Sequence, residues 1–372
     1  MNQSAQSLPA VAYAEINLDA ARHNLSTVRT CAPQAKVMAV IKANAYGHGL
    51  IRIANALDDA DAFAVARIEE GVTLRRAGIT QRITVLQGFS DMEEFQQIID
   101  NQLDPIVHSR HQVDLIENWQ GRDALTVWLK IDTGMNRLGF KINEVDSVYQ
   151  RLKRCRIINK PINLLTHLAN ADDKASAFTL QQISLFNDAI ATYGGGERSL
   201  ANSAGILAWQ DAIGDWVRPG IMLYGISPFP GSTGLGLGLE PVMSLYSKLI
   251  AVKPVAKGET VGYGKSWLCN KDTTIGIVAV GYGDGYPRHA KQGTPVLING
   301  HRVPLIGRVS MDTITVDLAT QPDAKPGDKA TLWGKHLPVE EIADYADTIP
   351  YTLVCGVTQR VRFVEISALR IA

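Results

Sequence analysis

The sequence of 372 residues lacks an excess of either charge and lacks long hydrophobic runs. Lysine and arginine together number 37, aspartate and glutamate also number 37, and the formal net charge is zero. A neutral chain has no broad basic field of the kind that supplies most non-specific binding to nucleic acids. No window approaches the roughly 18 consecutive apolar residues expected of a transmembrane helix. We therefore predict neither a nucleic acid nor a membrane as a partner.

Cysteine is also scarce. The four cysteines, Cys31, Cys155, Cys269 and Cys355, are widely separated, and none forms a CxxC pair. This spacing argues against a zinc or redox motif and favours reduced thiols over a disulfide framework, so we predict no metal site. The N-terminal segment has no basic stretch before an apolar run, and Glu15 interrupts its apolar residues. It does not resemble a signal peptide, and we expect a cytoplasmic protein.

The first two-thirds of the chain alternate short apolar runs with amphipathic stretches that are typical of helices. Eight units of this kind in about 200 residues predict an α/β fold with a closed (β/α)8 barrel. A doubly wound open sheet is the alternative, because the fourth run, Asp104–Val107, and the seventh run, Ser199–Ala201, are the least distinct. The length of the eight runs suits buried parallel strands. They are Val37–Ile41, Ala62–Ala66, Ile83–Leu86, Asp104–Val107, Val127–Ile131, Ile162–Thr166, Ser199–Ala201 and Trp216–Arg218.

In the last third of the chain, strands follow one another with little helix between them. Asn299 and Gly300 supply the positive φ angles that a two-residue hairpin turn needs. We predict two domains, the barrel over residues 1–240 and a mostly-β C-terminal domain over residues 241–372. The segment Ala12–Leu18 alternates like a strand but precedes the eight runs, and the pattern does not decide which sheet it joins.

Lys42 directly follows the first apolar run, in the segment IKANAYGHG. The carboxyl ends of barrel strands form the active face, and a partly desolvated lysine there can act as a nucleophile toward aldehydes. For an isolated strand-end lysine, a salt bridge at the rim is the alternative. The residues Tyr46, Gly47 and Gly49 fit a tight turn where the backbone approaches a ligand.

This segment resembles the cofactor-lysine motif of the alanine racemases, fold-type III enzymes that use pyridoxal 5'-phosphate (PLP). The resemblance runs from Tyr13 to Val364, and its motifs follow the family's order. It implies a (β/α)8 barrel in which Lys42 binds PLP covalently. It also implies that Tyr46 contacts the cofactor's phosphate.

Three further barrel motifs carry the resemblance, VWLKIDTGMNRLG, LLTHLANAD and DWVRPGIMLYG. They imply that Arg137 reaches the cofactor's phenolic oxygen and the substrate carboxylate, and that a carbamylated Lys130 pairs with this arginine. They also imply that His167 links the base tyrosine to Arg218, which faces the pyridine nitrogen. An arginine can only donate hydrogen bonds, so that nitrogen stays unprotonated and the ring becomes a weak electron sink.

The loops that follow the last two barrel strands are interpreted either as ordinary turns, which are the commoner case, or as a phosphate site. Barrels often bind phosphate there, through backbone N–H groups and hydroxyls. Asn202 and Ser203 follow the seventh run, and Gly220 and Ile221 follow the eighth. The same two pairs match the family's phosphate contacts.

The C-terminal domain carries residues that the resemblance places in the active site of a neighbouring subunit. Tyr263 lies between two glycines in VGYGKSW and corresponds to the second base. Met311 and Asp312, in GRVSMDT, correspond to residues that line the substrate pocket, and Tyr282, in GYGDGYPR, lies near the entry route. The resemblance therefore implies a homodimer with composite active sites.

The resemblance therefore implies a PLP-dependent alanine racemase that interconverts L- and D-alanine by a two-base mechanism and supplies D-alanine for peptidoglycan. Lys42 serves one face of the substrate and Tyr263 the other. Two positions depart from the family: Ser310 stands where many members have cysteine, and Gln359 where some have a phosphate-binding tyrosine. The alternatives are a broader amino-acid racemase and a fold-type III decarboxylase. Arg218 argues against the decarboxylase, which has a carboxylate at that position.

Overall fold

The regular structure begins with a strand and a helix, β1 (Tyr13–Asn17) and α1 (Leu18–Cys31). The side chain of Asn17 starts the helix, because its Oδ1 accepts hydrogen bonds from the amides of Asp19 and Ala20 at 3.0 and 3.1 Å. The computed structural model describes residues 11–367. These residues divide into two units, one formed by the chain up to Ala20 together with the chain from Ser232 onward, the other by Ala21–Gly231.

Eight parallel strands of the unit Ala21–Gly231 close into a barrel. The last strand pairs with the first, with Lys36 opposite Trp216 and Val37 opposite Val217. The predicted (β/α)8 barrel is therefore confirmed, and the open-sheet alternative is wrong. The strands are β2 (Lys36–Val40), β3 (Ala62–Val65), β4 (Arg82–Val85), β5 (Asp104–Val107), β6 (Trp128–Lys130), β7 (Asn163–Leu165), β8 (Arg198–Ser199) and β9 (Trp216–Val217).

Helices of this unit alternate with its strands, and the longer ones bury one face. On α7 the stripe is Val145, Val148, Tyr149 and Leu152, the spacing of one helix face. The helices are α2 (Lys42–Tyr46), α3 (Leu50–Ala56), α4 (Ile68–Arg76), α5 (Met92–Asp100), α6 (Arg110–Asn118), α7 (Ile142–Arg154), α8 (Phe178–Ile190) and α9 (Ser203–Ala208).

The other unit is mostly β, as predicted for the C-terminal part of the chain. It contains two short helices, α10 (Val339–Tyr345) and α11 (Pro350–Cys355). Its further strands are β10 (Met243–Val255), β11 (Thr260–Val261), β12 (Trp267–Leu268), β13 (Thr273–Val278), β14 (Pro295–Ile298), β15 (His301–Ile306), β16 (Ile314–Asp317), β17 (Lys329–Trp333) and β18 (Arg362–Ile366). The main sheet has the order β13-β16-β15-β14-β17-β10-β1-β18, and an additional pairing of β13 with β10 closes six of these strands on one another.

Strand β1 belongs to this second sheet, although the predicted domain of residues 1–240 includes it. It runs antiparallel to β10, with Tyr13 opposite Tyr246, and parallel to β18, with Tyr13 opposite Arg362. Its alternate residues Ala14 and Ile16 are fully buried, so one face of the strand supplies apolar surface to the sheet. None of the helices within residues 11–367 is long and apolar enough to cross a membrane.

Candidate active site

Lys42 follows the carboxyl end of β2 and begins α2, a turn of left-handed sense. The φ angles of Ala43, Asn44, Ala45 and Tyr46 lie between +51° and +54°. This backbone conformation costs an L-residue about 1–2 kcal/mol, so the surrounding structure has to hold the turn in place. The turn begins at the face of the barrel where enzymes of this architecture keep their active sites.

Two polar side chains hold the start and the end of this turn. One carboxylate oxygen of Glu70 accepts a hydrogen bond from the amide of Ala43 at 2.7 Å, and the other accepts from the amide of Ala66 at 2.9 Å. The Asn44 side chain accepts from the amide of Leu50 at 2.8 Å. The sequence reasoning missed Glu70, because an acidic residue in the first turn of a helix is ordinarily explained by the helix dipole.

Tyr46, Ser203 and Gly220 form a small polar cradle in the barrel unit. The Ser203 hydroxyl oxygen accepts hydrogen bonds from the amide of Gly220 at 2.9 Å and from the amide of Met222 at 3.4 Å. A Cβ atom at Gly220 would lie 2.6 Å from the Tyr46 hydroxyl. Glycine is therefore required beside that hydroxyl, and the space it leaves is the kind that a close ligand fills.

Backbone amides add to this cradle. Asn202 caps α9 by accepting a hydrogen bond from the amide of Gly205 at 3.0 Å, so the amide of Ser203 begins that helix. A 3₁₀ turn begins at Ile221, directly after Gly220. The first amides of a helix have no acceptor within it. Amides and hydroxyls arranged in this way suit a phosphate group.

The barrel unit also concentrates positive charge. Burial first, and then the charges of Arg218 and Arg137, lower the pKa of the Lys130 ammonium to about 8; Lys42 adds to this effect, and the carboxylate of Asp132 opposes it. Burial holds the pKa of His167 well below its ordinary value of 6.5, and four cations add to this effect: Arg218, Lys130, Arg137 and Lys42. His167 is thus neutral at pH 7, and a negatively charged group is favoured among these side chains.

Arg218 is buried and anchored by three hydrogen bonds. It donates to the Ser199 hydroxyl at 2.5 Å, to the carbonyl of Thr166 at 2.5 Å and to the carbonyl of Leu200 at 3.2 Å. Burial lowers its pKa to about 10, which leaves it charged at neutral pH. Among the described residues, no hydrogen bond joins Arg218 to His167, and the predicted link between them stays a prediction.

A buried network that the sequence reasoning missed supports this arginine and this histidine. Gln182 donates to the Thr133 hydroxyl at 3.1 Å and to the carbonyl of His167 at 3.2 Å, and it accepts from the amide of Ala169 at 2.9 Å. The Thr133 hydroxyl is 2.8 Å from the hydroxyl of Thr166, the residue whose carbonyl accepts from the arginine. A glutamine within an amphipathic helix gives no signal in the sequence that distinguishes it from a surface residue.

The loop that carries Arg137 is organised around a buried carboxylate. Asp132 accepts hydrogen bonds from the amides of Gly134 and Asn136 at 3.1 and 3.0 Å and forms an ion pair with Lys141 at 2.7 Å. The ammonium of Lys141 also donates to the Asn136 side chain. Arg137 itself is exposed. At this strand end, Asp132 therefore forms its ion pair with Lys141.

In the other unit, Tyr263 and Met311 are surface residues. Tyr263 lies in a 3₁₀ turn between Gly262 and Gly264, which both have positive φ angles, and 68% of its area is exposed. Met311 is 52% exposed. A tyrosine ring held out from a glycine-rich turn is available to another molecule.

Tyr282 and Asp312 lie on the same surface region of this unit. The amide of Tyr282 donates to the carbonyl of Ser310 at 3.1 Å. The guanidinium of Arg360 pairs with Asp312 at 2.7 Å and with the buried Asp284 at 3.3 Å. Arg360 thus ties the loop of Asp312 to the turn that Tyr282 begins.

Comparisons with known proteins identify the family. The family model described as alanine racemase, N-terminal domain, matches residues 16–228, and the model described as alanine racemase, C-terminal domain, matches residues 242–365. The chain belongs to the alanine racemase family. An alanine racemase of Shewanella sediminis is 50% identical over 348 residues, which cover 94% of this chain and 97% of that protein.

Solved structures of the family have the same fold. The biosynthetic alanine racemase of Pseudomonas aeruginosa superposes with a TM-score of 0.94 at 41% identity, covering 96% of this chain and all of that one. The alanine racemase of Bartonella henselae with covalently bound pyridoxal phosphate superposes with a TM-score of 0.85 at 31% identity, over 96% of this chain and 100% of the other.

The residues expected from the family resemblance are divided between the two units, and their roles stay predictions. The barrel unit holds Lys42, Tyr46, Lys130, Arg137, His167, Asn202, Ser203, Arg218, Gly220 and Ile221; the other unit holds Tyr263, Tyr282, Met311 and Asp312. Across residues 11–367, no group of three or more histidine, cysteine, aspartate or glutamate side chains is arranged to hold a metal ion.

Proposed function

We propose that the chain is a PLP-dependent alanine racemase that interconverts L- and D-alanine in the cytoplasm and supplies D-alanine for the cell wall. The observation that carries this proposal is the cradle of Tyr46, Ser203 and Gly220, which begins four residues after a lysine at the active face of the barrel. A covalently bound pyridoxal phosphate in the related Bartonella henselae structure supports the choice of cofactor. The glycine-lined space beside two hydroxyls suits the phosphate of that cofactor.

The side chains present have the chemistry that PLP requires. Lys42 would hold the cofactor covalently, Tyr46 and Ser203 would hold its phosphate, and Arg218 would face its ring nitrogen. When bound, PLP withdraws electrons from an attached amino acid and makes its Cα proton acidic. Arg218 keeps its charge despite its burial, so it would donate a hydrogen bond to the ring nitrogen without transferring a proton to it.

A cation of the barrel unit would bind the carboxylate of the substrate. Arg137 is exposed on a loop that Asp132 and Lys141 hold in shape. A guanidinium binds a carboxylate with two parallel hydrogen bonds. We therefore assign Arg137 to the carboxylate of alanine and the partner subunit's Met311 to the wall of the substrate pocket.

Racemisation needs a proton donor and acceptor on each face of Cα. We infer that the Lys42 amine serves one face and that the partner subunit's Tyr263 serves the other. The 68% exposure of Tyr263 in a single chain supports a role toward a second copy of the chain. A two-fold symmetric pair lets each subunit complete the other's site, with the partner's Asp312 lining the substrate pocket and the partner's Tyr282 near the route of entry.

Purified protein tests this function directly. Incubation with L-alanine should produce D-alanine until the two are equal, and the protein should show the absorbance of lysine-bound PLP. Lys42→Ala should abolish that absorbance and lower activity by orders of magnitude. A protein that racemises no alanine, or that decarboxylates amino acids, would contradict the proposal. Tests with larger amino acids would reveal a broader racemase.

Mixing of inactive subunits tests the composite site. Lys42→Ala and Tyr263→Phe subunits should each be nearly inactive alone. In a mixed dimer one site receives both defects and the other neither, so random pairing should restore about a quarter of wild-type activity. Lys42→Ala mixed with Lys42→Arg is the control and should restore none. No recovery in the first mixture, despite demonstrated subunit exchange, would refute the composite site.

A further inference from the structure

His48 lies two residues beyond the left-handed turn of Lys42 and is fully buried. Its Nδ1 is 3.1 Å from the carbonyl oxygen of Ala45 and 2.9 Å from the carbonyl oxygen of Tyr46. Both partners are acceptors, so Nδ1 carries the ring proton and donates to them. The imidazole therefore binds the last two residues of the turn through their main chain.

The ring of His48 also packs into an aromatic stack. Its centroid is 4.6 Å from that of Tyr224, and the centroid of Tyr224 is 4.8 Å from that of Tyr46. The Tyr224 hydroxyl donates to the carbonyl of Val40 at 3.1 Å, on the strand that leads to Lys42. The stack thus connects the turn to the barrel strand from which it departs.

The second ring nitrogen of His48 makes no hydrogen bond to any residue in the described part of the chain. Burial is the main reason that the pKa of this histidine falls to about 4, and a contribution from Arg52 acts in the same direction. The imidazole of His48 is therefore uncharged at neutral pH. Its contribution is therefore a fixed donor at Nδ1 rather than proton transfer.

We propose that His48 is a positioning residue for the cofactor's phosphate, acting through Tyr46. The left-handed turn is a strained conformation that persists only when its surroundings determine it, and His48 supplies one donor to two of its carbonyl groups. Without that donor, the turn relaxes and the Tyr46 hydroxyl leaves its place beside Gly220. This inference rests on the proposed use of PLP.

Two substitutions separate the donor from the ring. His48→Asn places an amide N–H at the position of Nδ1 and removes the ring, whereas His48→Phe keeps a ring against Tyr224 and removes the donor. Apoprotein of each variant is titrated with PLP, and the phosphorus NMR shift of the bound phosphate is recorded. We expect His48→Phe to raise the Kd for PLP about tenfold and to move the phosphorus signal. We expect His48→Asn to stay within about threefold of wild type.

Tyr46→Phe decides whether His48 acts through the tyrosine. If it does, the double variant His48→Phe/Tyr46→Phe binds PLP about as tightly as Tyr46→Phe alone, since the hydroxyl to be positioned is already absent. Independent, merely structural effects would multiply in the double variant, and that result would overturn the inference.

Two further outcomes are distinguishable. Wild-type binding and an unchanged phosphorus shift in His48→Phe would overturn the inference while leaving the racemase intact. Failure of wild-type apoprotein to bind PLP would overturn the proposed function itself and the inference with it. If His48→Phe does not fold, His48→Asn decides, because a Kd raised more than tenfold despite the retained donor contradicts the proposal.

Discussion

Lys130 should react with carbon dioxide when the protein is supplied with bicarbonate. Its amine is buried, and its pKa falls to about 8 from the ordinary 10.5 through burial first and through Arg218 and Arg137 next. Only the neutral amine attacks the carbon of CO2; a new N–C bond forms, one N–H proton passes to solvent, and a carbamate anion remains. At pH 7.5 a pKa of about 8 leaves roughly a quarter of Lys130 neutral, whereas an ordinary lysine is about 0.1% neutral, a difference of about two orders of magnitude.

The charge of the surroundings favours the product. Carbamylation replaces a cation by an anion among Lys42, Arg137 and Arg218, the cations that depress the pKa of the free amine. Interactions that were repulsive become attractive, so the modified state is stabilised. We expect carbamylated Lys130 to pair with Arg137 and to hold that guanidinium in place for the substrate.

Carbon-13 NMR with labelled bicarbonate measures this modification. Wild-type protein should give a carbamate signal that grows as the pH rises from 7 to 9, because the neutral amine becomes more abundant. Lys130→Gln should lack the signal. Lys153→Gln is the control, since Lys153 is exposed on α7, and it should keep the signal. Absence of the signal in the wild type at pH 8, or its persistence in Lys130→Gln, would refute the reasoning.

Two further predictions concern the cradle and the loop of Arg137. Gly220→Ala places a Cβ 2.6 Å from the Tyr46 hydroxyl and should raise the Kd for PLP about tenfold in a titration, whereas Gly194→Ala, which has open space around it, should change nothing. Burial alone would raise the pKa of the Asp132 carboxyl. The ammonium of Lys141 and two backbone amides outweigh burial and lower that pKa below 3.8. Asp132→Asn should therefore lose about 1.5–3 kcal/mol of stability in urea unfolding at pH 7. This difference should shrink only as the pH falls below 3.8 through the lowered folded-state pKa, and an equal loss at pH 2.5 would contradict the assignment.

The barrel could be predicted because its signals are local. A strand buried on both faces is a short continuous apolar run, and the predicted run Asp104–Val107 has the same bounds as β5. The hairpin turn was also predictable, because a single dipeptide determines it: Asn299 and Gly300 have φ angles of +49° and +85°.

The left-handed turn after Lys42 could not be predicted from local preference. Alanine favours the right-handed helix more than any other residue, yet Ala43 and Ala45 have φ angles of +54° and +53°. Hydrogen bonds from distant groups override that preference, among them the Glu70 carboxylate, 27 positions away in the sequence. Contacts at such separations leave no periodic trace in the sequence.

Burial, and after it the charges of the barrel unit, keep His167 neutral among these cations. Each additional cation makes protonation of His167 less favourable, and Arg218, Lys130, Arg137 and Lys42 all act on it in that direction, after burial. A neutral imidazole can accept one hydrogen bond and donate another, which an imidazolium cannot do. The same cations attract anions. Three anions are proposed for this site: the phosphate of the cofactor, the carboxylate of the substrate and the carbamate of modified Lys130. Binding of these anions weakens the repulsion on His167, so its pKa should rise from the apoprotein to the loaded enzyme, a shift that histidine NMR titration of the two forms can measure.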